Sequence, residues 1–158
     1  MEGAHSVVRG LVINRFENAS ISVRADSVAV QGCILGTDAA ASVLHAHVVP
    51  VEIAAGATNA LIGGTLPAHA NLITSATNAG VRVGEVGARI LGNEIGRALL
   101  GNIFGVSTQT SPTASVPVLI GDGTAAGANL ISGNNIGINH SATGFAPVTL
   151  QLDRSRYQ

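Results

Sequence analysis

The chain repeats itself, and this repeat limits the folds that it can adopt. The phrase at residues 70–83, ANLITSATNAGVRV, returns at residues 128–138 as ANLISGNNIGI, and IGG at residues 62–64 returns as IGD at residues 120–122. A third echo is GCILG at residues 32–36, which returns as GNEIG at residues 92–96. A near-constant period predicts stacked units, each of which buries its apolar face against its neighbours.

Short segments in which apolar residues alternate with polar or small ones predict half-buried strands. Residues 21–24 (ISVR), 28–31 (VAVQ) and 80–83 (GVRV) have this period of two. A crossover helix would need ten or more periodic residues between strands, and the segments lie too close together for that. The sequence therefore predicts an all-β chain.

The composition agrees with narrow, stacked strands and excludes several classes of protein. Hydrophobic residues make up 46% of the chain, but aromatic residues only 3%, so the apolar mass is aliphatic. The net charge is −1, and the eight basic residues are all arginines without a cluster that could follow a nucleic-acid backbone. The apolar runs are short and broken, which excludes a membrane-spanning helix. The N-terminus lacks the pattern of a signal peptide.

One domain covering residues 1–158 accommodates these features. We place the repeat region at about residues 7–138, and a final strand with a charged tail at residues 148–158. Dividing the repeat unit into three gives about seven coils of roughly 20 residues each. Because the repeat starts and stops near the chain ends, we interpret the chain as a piece of a longer repeat protein.

Three phrases carry a resemblance to a known family: VQGCILGTD at residues 30–38, ATNALIGG at residues 57–64 and NLISGNNIGI at residues 129–138. They resemble the right-handed parallel β-helix repeats of the pectin-lyase-like superfamily, and most closely the non-catalytic repeat arrays of large secreted or surface-attached bacterial proteins. The resemblance covers residues 7–138. It implies a single-stranded right-handed parallel β-helix, and an extracellular or cell-surface location.

In that family, asparagines stack at one tight corner of the coil. The resemblance implies that Asn93 and Asn134 fill this corner, and that Phe16, Cys33 and Ala76 occupy it in other coils. Asparagine suits such a corner because it tolerates the left-handed conformation and its amide can bond to the next coil. We interpret Cys33 as a small buried residue of the wall and not as a reactive thiol.

Enzymes of the family that cleave acidic polysaccharides resemble one another in gathering several carboxylates near a basic residue, in lyases around calcium. Here no two of the nine carboxylates are close neighbours in sequence. The catalytic candidates are Glu52 and Arg82, at matching outward positions of two different strands. A surface ion pair is the favoured interpretation of the two residues. Calcium would be needed only by a lyase, and no other cofactor is expected.

His45 and His47 are the candidates for a metal site, because a His-x-His pair on one strand face can ligate a metal. A third ligand is needed, and the spacing indicates none, so two exposed histidines are the favoured interpretation. Asp38 and Asp122 follow glycine turns, where an aspartate commonly bonds its own backbone.

We expect a structural or interaction module, such as a rigid spacer or an adhesive surface, whose partners are polysaccharides or other cell-surface ligands. The alternative is a carbohydrate-active enzyme or a carbohydrate-binding domain of the pectate-lyase type. The scarcity of aromatic platforms for sugar stacking favours a non-catalytic chain. Open edge strands at the coil ends would also permit end-to-end self-association.

Overall fold

The computed structural model describes residues 1–84, 87–97, 101–109, 116–141 and 147–151. These residues form short strands and one turn of 3-10 helix, at Pro67–His69. The all-β prediction is confirmed. The strands are β1 (Val7–Arg9), β2 (Val12–Ile13), β3 (Ala19–Val23), β4 (Ala29–Gln31), β5 (Ile34–Leu35), β6 (Val49–Ile53), β7 (Leu61–Gly63), β8 (Leu72–Ile73), β9 (Ala79–Val83), β10 (Arg89–Leu91), β11 (Glu94–Ile95), β12 (Phe104–Thr108), β13 (Val118–Ile120), β14 (Leu130–Ile131), β15 (Ile136–His140) and β16 (Val148–Leu150).

The described strands form three parallel sheets, and the chain visits the sheets in turn. Sheet A has the order β1-β4-β7-β10-β13-β16, sheet B the order β2-β5-β8-β11-β14 and sheet C the order β3-β6-β9-β12-β15. Three successive strands, one in each sheet, are called a layer below. Layer 1 is β1 to β3, layer 5 is β13 to β15, and β16 lies beyond layer 5 in sheet A. Every strand thus pairs with the strand three places along the chain.

The spacing between paired strands is uneven and is not the constant 20 residues or so expected for each coil. In sheet B, Val12 pairs with Ile34, and Ile34 pairs with Leu72, which lies much farther along the chain. Leu72 in turn pairs with Glu94, and Glu94 with Leu130. The sequence repeat that relates Leu72 to Leu130 therefore spans two layers and not three.

The number of residues between paired strands of sheet B alternates from layer to layer, because the long corner lies at different places in successive layers. The corner between sheets A and B covers residues 64–71 in layer 3 and 121–129 in layer 5, but only 32–33 in layer 2 and 92–93 in layer 4. The corner between sheets B and C is long instead in layer 2, at residues 36–48. A unit of two layers thus repeats more regularly than a single layer does.

Aliphatic side chains fill the space between the three sheets. In-register partners stack like on like, for example Val51 on Val81 in sheet C and Ile62 on Ile90 in sheet A. The three middle strands of sheet B, β5, β8 and β11, each bury one of their two residues, and Ile73 is fully buried. Complete burial of such a side chain is worth about 1.5–3 kcal/mol. The described core is therefore a stack of Val, Ile and Leu columns that needs no aromatic residue.

Two expectations concern the ends of the chain and the membrane. A strand is present at Val148–Leu150, whereas the charged tail at residues 152–158 lies outside the described residues. Within the described part of the chain, no helix has the length and hydropathy needed to cross a bilayer.

Candidate functional site

Asparagine side chains form a hydrogen-bonded column at the corner between sheets A and B. This first column consists of Cys33, Asn71, Asn93 and Asn129, each of which directly precedes a strand of sheet B. Nδ2 of Asn71 donates to Oδ1 of Asn93 at 2.8 Å, and Nδ2 of Asn93 donates to Oδ1 of Asn129 at 3.0 Å. The Cys33 backbone N–H donates to Oδ1 of Asn71 at 2.9 Å. The column thus joins layers 2 to 5.

The same amides also bind the corner to sheet A. Each Nδ2 atom donates to the carbonyl of a sheet A residue in the layer before it, with Asn71 on Val30, Asn93 on Ile62 and Asn129 on Ile90, at 2.7–2.9 Å. Asn71 and Asn93 are almost completely buried. Buried amides need such partners, because an unpaired one costs about 1–3 kcal/mol.

A second column stands at the corner between sheets B and C. Its members, one in each of layers 1 to 5, are Phe16, His47, Ala76, Asn102 and Asn134. The backbone carbonyl of each of the first four accepts a hydrogen bond from the N–H of the residue that comes directly after the next member in the chain. Nδ2 of Asn102 donates to Oδ1 of Asn134 at 2.9 Å, and the Ala76 N–H donates to Oδ1 of Asn102 at 2.9 Å. The side-chain ladder therefore covers layers 3 to 5 only.

The five residues assigned to one corner from the sequence lie in two columns. Cys33 and Asn93 belong to the first column, whereas Phe16, Ala76 and Asn134 belong to the second. The sequence did not separate the two corners because Asn93 and Asn134 both follow a glycine, in the similar phrases GNEIG and GNNIG. Asn71, Asn102 and Asn129 were missed. The signal for two of them was an asparagine directly before a short apolar pair, as in NLI at residues 71–73 and 129–131.

His47 is buried in the second column and is not one of two exposed histidines. Its side chain is 3% exposed; Nδ1 lies 2.7 Å from Ser20 Oγ and Nε2 lies 3.3 Å from the Thr74 carbonyl. A carbonyl only accepts, so Nε2 carries the proton and Nδ1 accepts from Ser20. His45 is half-buried instead, near Arg15. The strand on which the two histidines were expected to share a face is absent, since only isolated bridges occur there, at Leu44 and His47.

The pKa of His47 predicts a pH-dependent stability. Burial lowers the pKa of His47 below 6.5, with the hydrogen bond to Thr74 acting in the opposite direction. As pH falls below about 6.5, the unfolded chain binds the proton before the folded chain does. Stability should therefore fall as the pH is lowered, by at most about 1.4 kcal/mol per pH unit for one proton.

We expect this loss to be smaller in the His47→Asn variant, which keeps a polar column residue but does not titrate. Urea denaturation at about pH 7.5 and about pH 5 checks the prediction for both chains. Comparing the two chains removes the contribution of the other histidines. Equal pH dependence in both chains would contradict the burial of a neutral His47.

Several carboxylates are engaged in turns. Asp38 accepts hydrogen bonds from the Ser42 N–H and hydroxyl, both at 2.7 Å, and from the Val43 N–H at 3.1 Å. These bonds hold the pKa of Asp38 far below its usual value. Asp122 accepts from the Thr124 N–H and hydroxyl, which lower its pKa in the same way. Among the described residues, no group of three His, Cys, Asp or Glu side chains could hold a metal ion.

Glu52 and Arg82 lie in register on sheet C and form an ion pair. Arg82 Nη1 lies 3.3 Å from Glu52 Oε1, and both side chains are about one third exposed. They border a polar trough of about 360 Å³, whose other polar lining residues are Asn18, Ser22 and Arg24. The trough brings together two arginines and a carboxylate from three layers.

The Glu52–Arg82 pair should contribute little to stability. A partly exposed pair with a single contact is worth about 0.2–1 kcal/mol. In a double-mutant cycle of Glu52→Gln and Arg82→Gln, we expect a coupling free energy below about 1 kcal/mol, measured by urea denaturation. A much larger coupling would mean that the pair is a structural element of sheet C and not a surface contact.

A second concavity runs beside the second column. It measures about 490 Å³ and is lined in part by Leu44, Ala76, Asn102, Ile103 and Asn135. Leu44 and Ile103 are both exposed. This groove crosses layers 2 to 5 and is more apolar than the trough on sheet C.

Comparison with known proteins gives no relative. No protein-family model matches the chain, and neither the curated proteins nor the solved structures contain a match.

Proposed function

We propose that the chain is a rigid structural module, a single-stranded right-handed parallel β-helix that acts as a spacer or an adhesive surface of a secreted or cell-surface protein. The observation that carries this proposal is the pair of columns, of which Asn71, Asn93 and Asn102 are buried. Their amides bond to one another and to backbone carbonyls of neighbouring layers. Polar groups of the interior therefore join layer to layer, as a rigid scaffold requires.

The proposed helix has five complete coils and the first strand of a sixth, with one coil per layer. Right-handed winding is proposed because parallel strands joined by a crossover in one sheet are right-handed in nearly all proteins. At about 4.8 Å per step, β1 and β16 lie roughly 24 Å apart. The location at the cell surface and the membership of the pectin-lyase-like superfamily are supported by the repeat phrases alone.

Two surfaces support an adhesive role. The groove beside the second column presents exposed Leu44 and Ile103 along the axis of the stack. The outer strands β1 and β16 of the described sheet A expose Val7 and Leu150, at 58% and 57%. Copies that associate end to end would cover these two edges. Sedimentation of the chain over a range of concentrations tests this association, and a monomer at every concentration would contradict it.

A folding and binding test separates a scaffold from an enzyme. Circular dichroism and resistance to proteolysis report whether the purified chain is rigid, and a screen of acidic and neutral polysaccharides, with and without calcium, reports binding and cleavage. We expect a folded, protease-resistant chain that cleaves none of them. A chain that is rapidly digested would contradict the rigid scaffold.

The second candidate is a carbohydrate-active enzyme, and the trough beside Glu52 and Arg82 is the observation that favours it. Under this candidate Arg82 would act as the base, and Glu52 is the one carboxylate of the described trough lining that could contact a calcium ion. Calcium-dependent release of unsaturated products, detected by ultraviolet absorbance, would establish this function. Loss of the activity in Arg82→Gln, but not in Arg97→Gln, would locate it in the trough.

A further inference from the structure

Both asparagine ladders end at layer 5 with hydrogen-bond donors that have no described acceptor. Along the ladders, the backbone N–H of a column residue donates to Oδ1 of the asparagine in the next layer, as Asn93 does to Asn129 and Asn102 does to Asn134, both at 3.0 Å. Nδ2 of Asn93 and Nδ2 of Asn102 donate to the same two oxygens. Two donors thus converge on one acceptor oxygen at each of these steps.

The same pair of donors is found at each corner of layer 5. Asn129 and Asn134 donate through Nδ2 to the carbonyls of Ile90 and Ile95, at 2.7 and 2.9 Å. Their backbone N–H groups, and the second Nδ2 hydrogen that the other ladder asparagines donate to the next layer, have no acceptor among the described residues. Each corner therefore presents two N–H donors in the arrangement that binds an oxygen elsewhere in the chain.

The strands at these corners have a free edge and partly uncovered aliphatic side chains. β14 and β15 are the last described strands of sheets B and C, so their outer edges pair with no described strand. Ile131 and Ile138 lie in register with Ile95 and Val106 of layer 4. The layer 4 residues are completely buried, whereas Ile131 and Ile138 are only partly buried. A further layer would cover them as layer 5 covers layer 4.

We propose that the layer 5 edge, which consists of Asn129, Asn134 and the outer edges of β14 and β15, binds an extended protein segment with an asparagine or aspartate at both corners. Such a segment adds a parallel strand to each sheet, and its two side-chain oxygens accept from the converging donors. The contact repeats the one between layers 4 and 5. Backbone pairing supplies affinity, and the two corner oxygens supply specificity. This site rests on the layered fold and not on the proposed scaffold role.

The chemistry of the corners distinguishes this segment from layer 1 of a second copy. In layer 1 the two column positions hold Leu11 and Phe16, whose side chains have no acceptor oxygen. Copies that associate through β1 and β16 would therefore leave the donors of the layer 5 edge without acceptors. Layer 5 itself has an asparagine in each column, and in-register partners of this fold stack like on like. A segment with the sequence of residues 128–140 thus places an Oδ1 atom at both corners.

Fluorescence anisotropy with a labelled peptide of residues 128–140 tests the proposal on the full chain. We expect saturable binding, and at least about tenfold weaker binding of a peptide with Asn129→Ala and Asn134→Ala, because each alanine leaves two donors unpaired. A peptide with Asn129→Asp and Asn134→Asp keeps both acceptor oxygens and should bind more tightly than the alanine peptide. These changes lie in the peptide, so the fold of the protein is the same in every titration.

Two lysine variants of the protein locate the site. Ile136, on β15, and Val12, on β2 of layer 1, are both 47% exposed, so the two substitutions are matched in exposure. Ile136→Lys should weaken binding of the peptide about tenfold or more, because a lysine on an edge strand opposes pairing with another strand. Val12→Lys should leave the dissociation constant almost unchanged. Circular dichroism verifies that both variants are folded.

Three results would overturn the proposal: no binding of the peptide of residues 128–140, equal binding of the alanine peptide, or equal effects of the two lysine variants. A peptide of residues 11–23, the corresponding part of layer 1, is titrated in parallel. If it binds as tightly as the peptide of residues 128–140, the layer 5 edge accepts a second copy and the assignment to a segment with acceptor oxygens at both corners fails.

Discussion

Asn93→Ala should lower the free energy of unfolding by about 3–5 kcal/mol. Oδ1 of Asn93 accepts from the backbone N–H and the side-chain amide of Asn71, and its Nδ2 donates to the Ile62 carbonyl and to Asn129. Truncation leaves the Asn71 N–H and the Ile62 carbonyl without these bonds, and removes one bond each from the side chains of Asn71 and Asn129. Urea denaturation followed by circular dichroism measures the loss, which should shift the midpoint without changing the slope.

Asn139→Ala is the matched control for this substitution. Asn139 lies on β15, partly exposed, and its Nδ2 makes one long contact of 3.5 Å with Ser107 Oγ. We expect its loss to change the free energy of unfolding by less than about 0.5 kcal/mol. Equal effects of the two substitutions would contradict the claim that the hydrogen bonds of the first column stabilise the fold.

Gly63→Ala should cost about 3 kcal/mol or more. Gly63 ends β7 with φ +86°, a conformation in which a side chain is strained. A Cβ atom there would also collide with the Leu91 carbonyl oxygen and lie 2.5 Å from Asn93 Oδ1. The strand register and the first column would both have to shift. Thermal and urea unfolding measure the loss.

Gly10→Ala separates the two causes of that loss. Gly10 has φ +69°, but no atom lies within 4 Å of the Cβ that alanine would add. This variant therefore carries only the backbone term, about 1 kcal/mol. If Gly63→Ala lowered the free energy of unfolding no more than Gly10→Ala does, the close contact between layers 3 and 4 at Gly63 and Leu91 would be contradicted.

The sequence predicted most of the strand content because the signals are local. Period-two alternation located β3 and β9, and the matching outward positions expected for Glu52 and Arg82 agree with their register in sheet C. The number of layers could not be derived from the repeat. The period gives only the number of residues after which the sequence pattern returns. A repeat unit of two long layers and one of three short layers can have the same period.

The corner residues were harder to assign because corners depend on tertiary contacts. Asn93 and Asn134 follow glycines in nearly identical phrases, but the first closes the A–B corner and the second the B–C corner. His47 carries no asparagine signal at all, and it occupies the second column because Ser20 and Thr74 supply its polar partners. The trough needs residues from three layers, so its lining was visible in the sequence only as the pair Glu52 and Arg82.

Nuclear Overhauser contacts of the Asn93 side-chain amide test the central claim most directly. The account predicts contacts from these amide protons to Asn71, in the layer before, and to Asn129, in the layer after, together with slow exchange with solvent. Rapid exchange, or contacts to residues about 20 positions away on both sides, would contradict the layered stack and its first column.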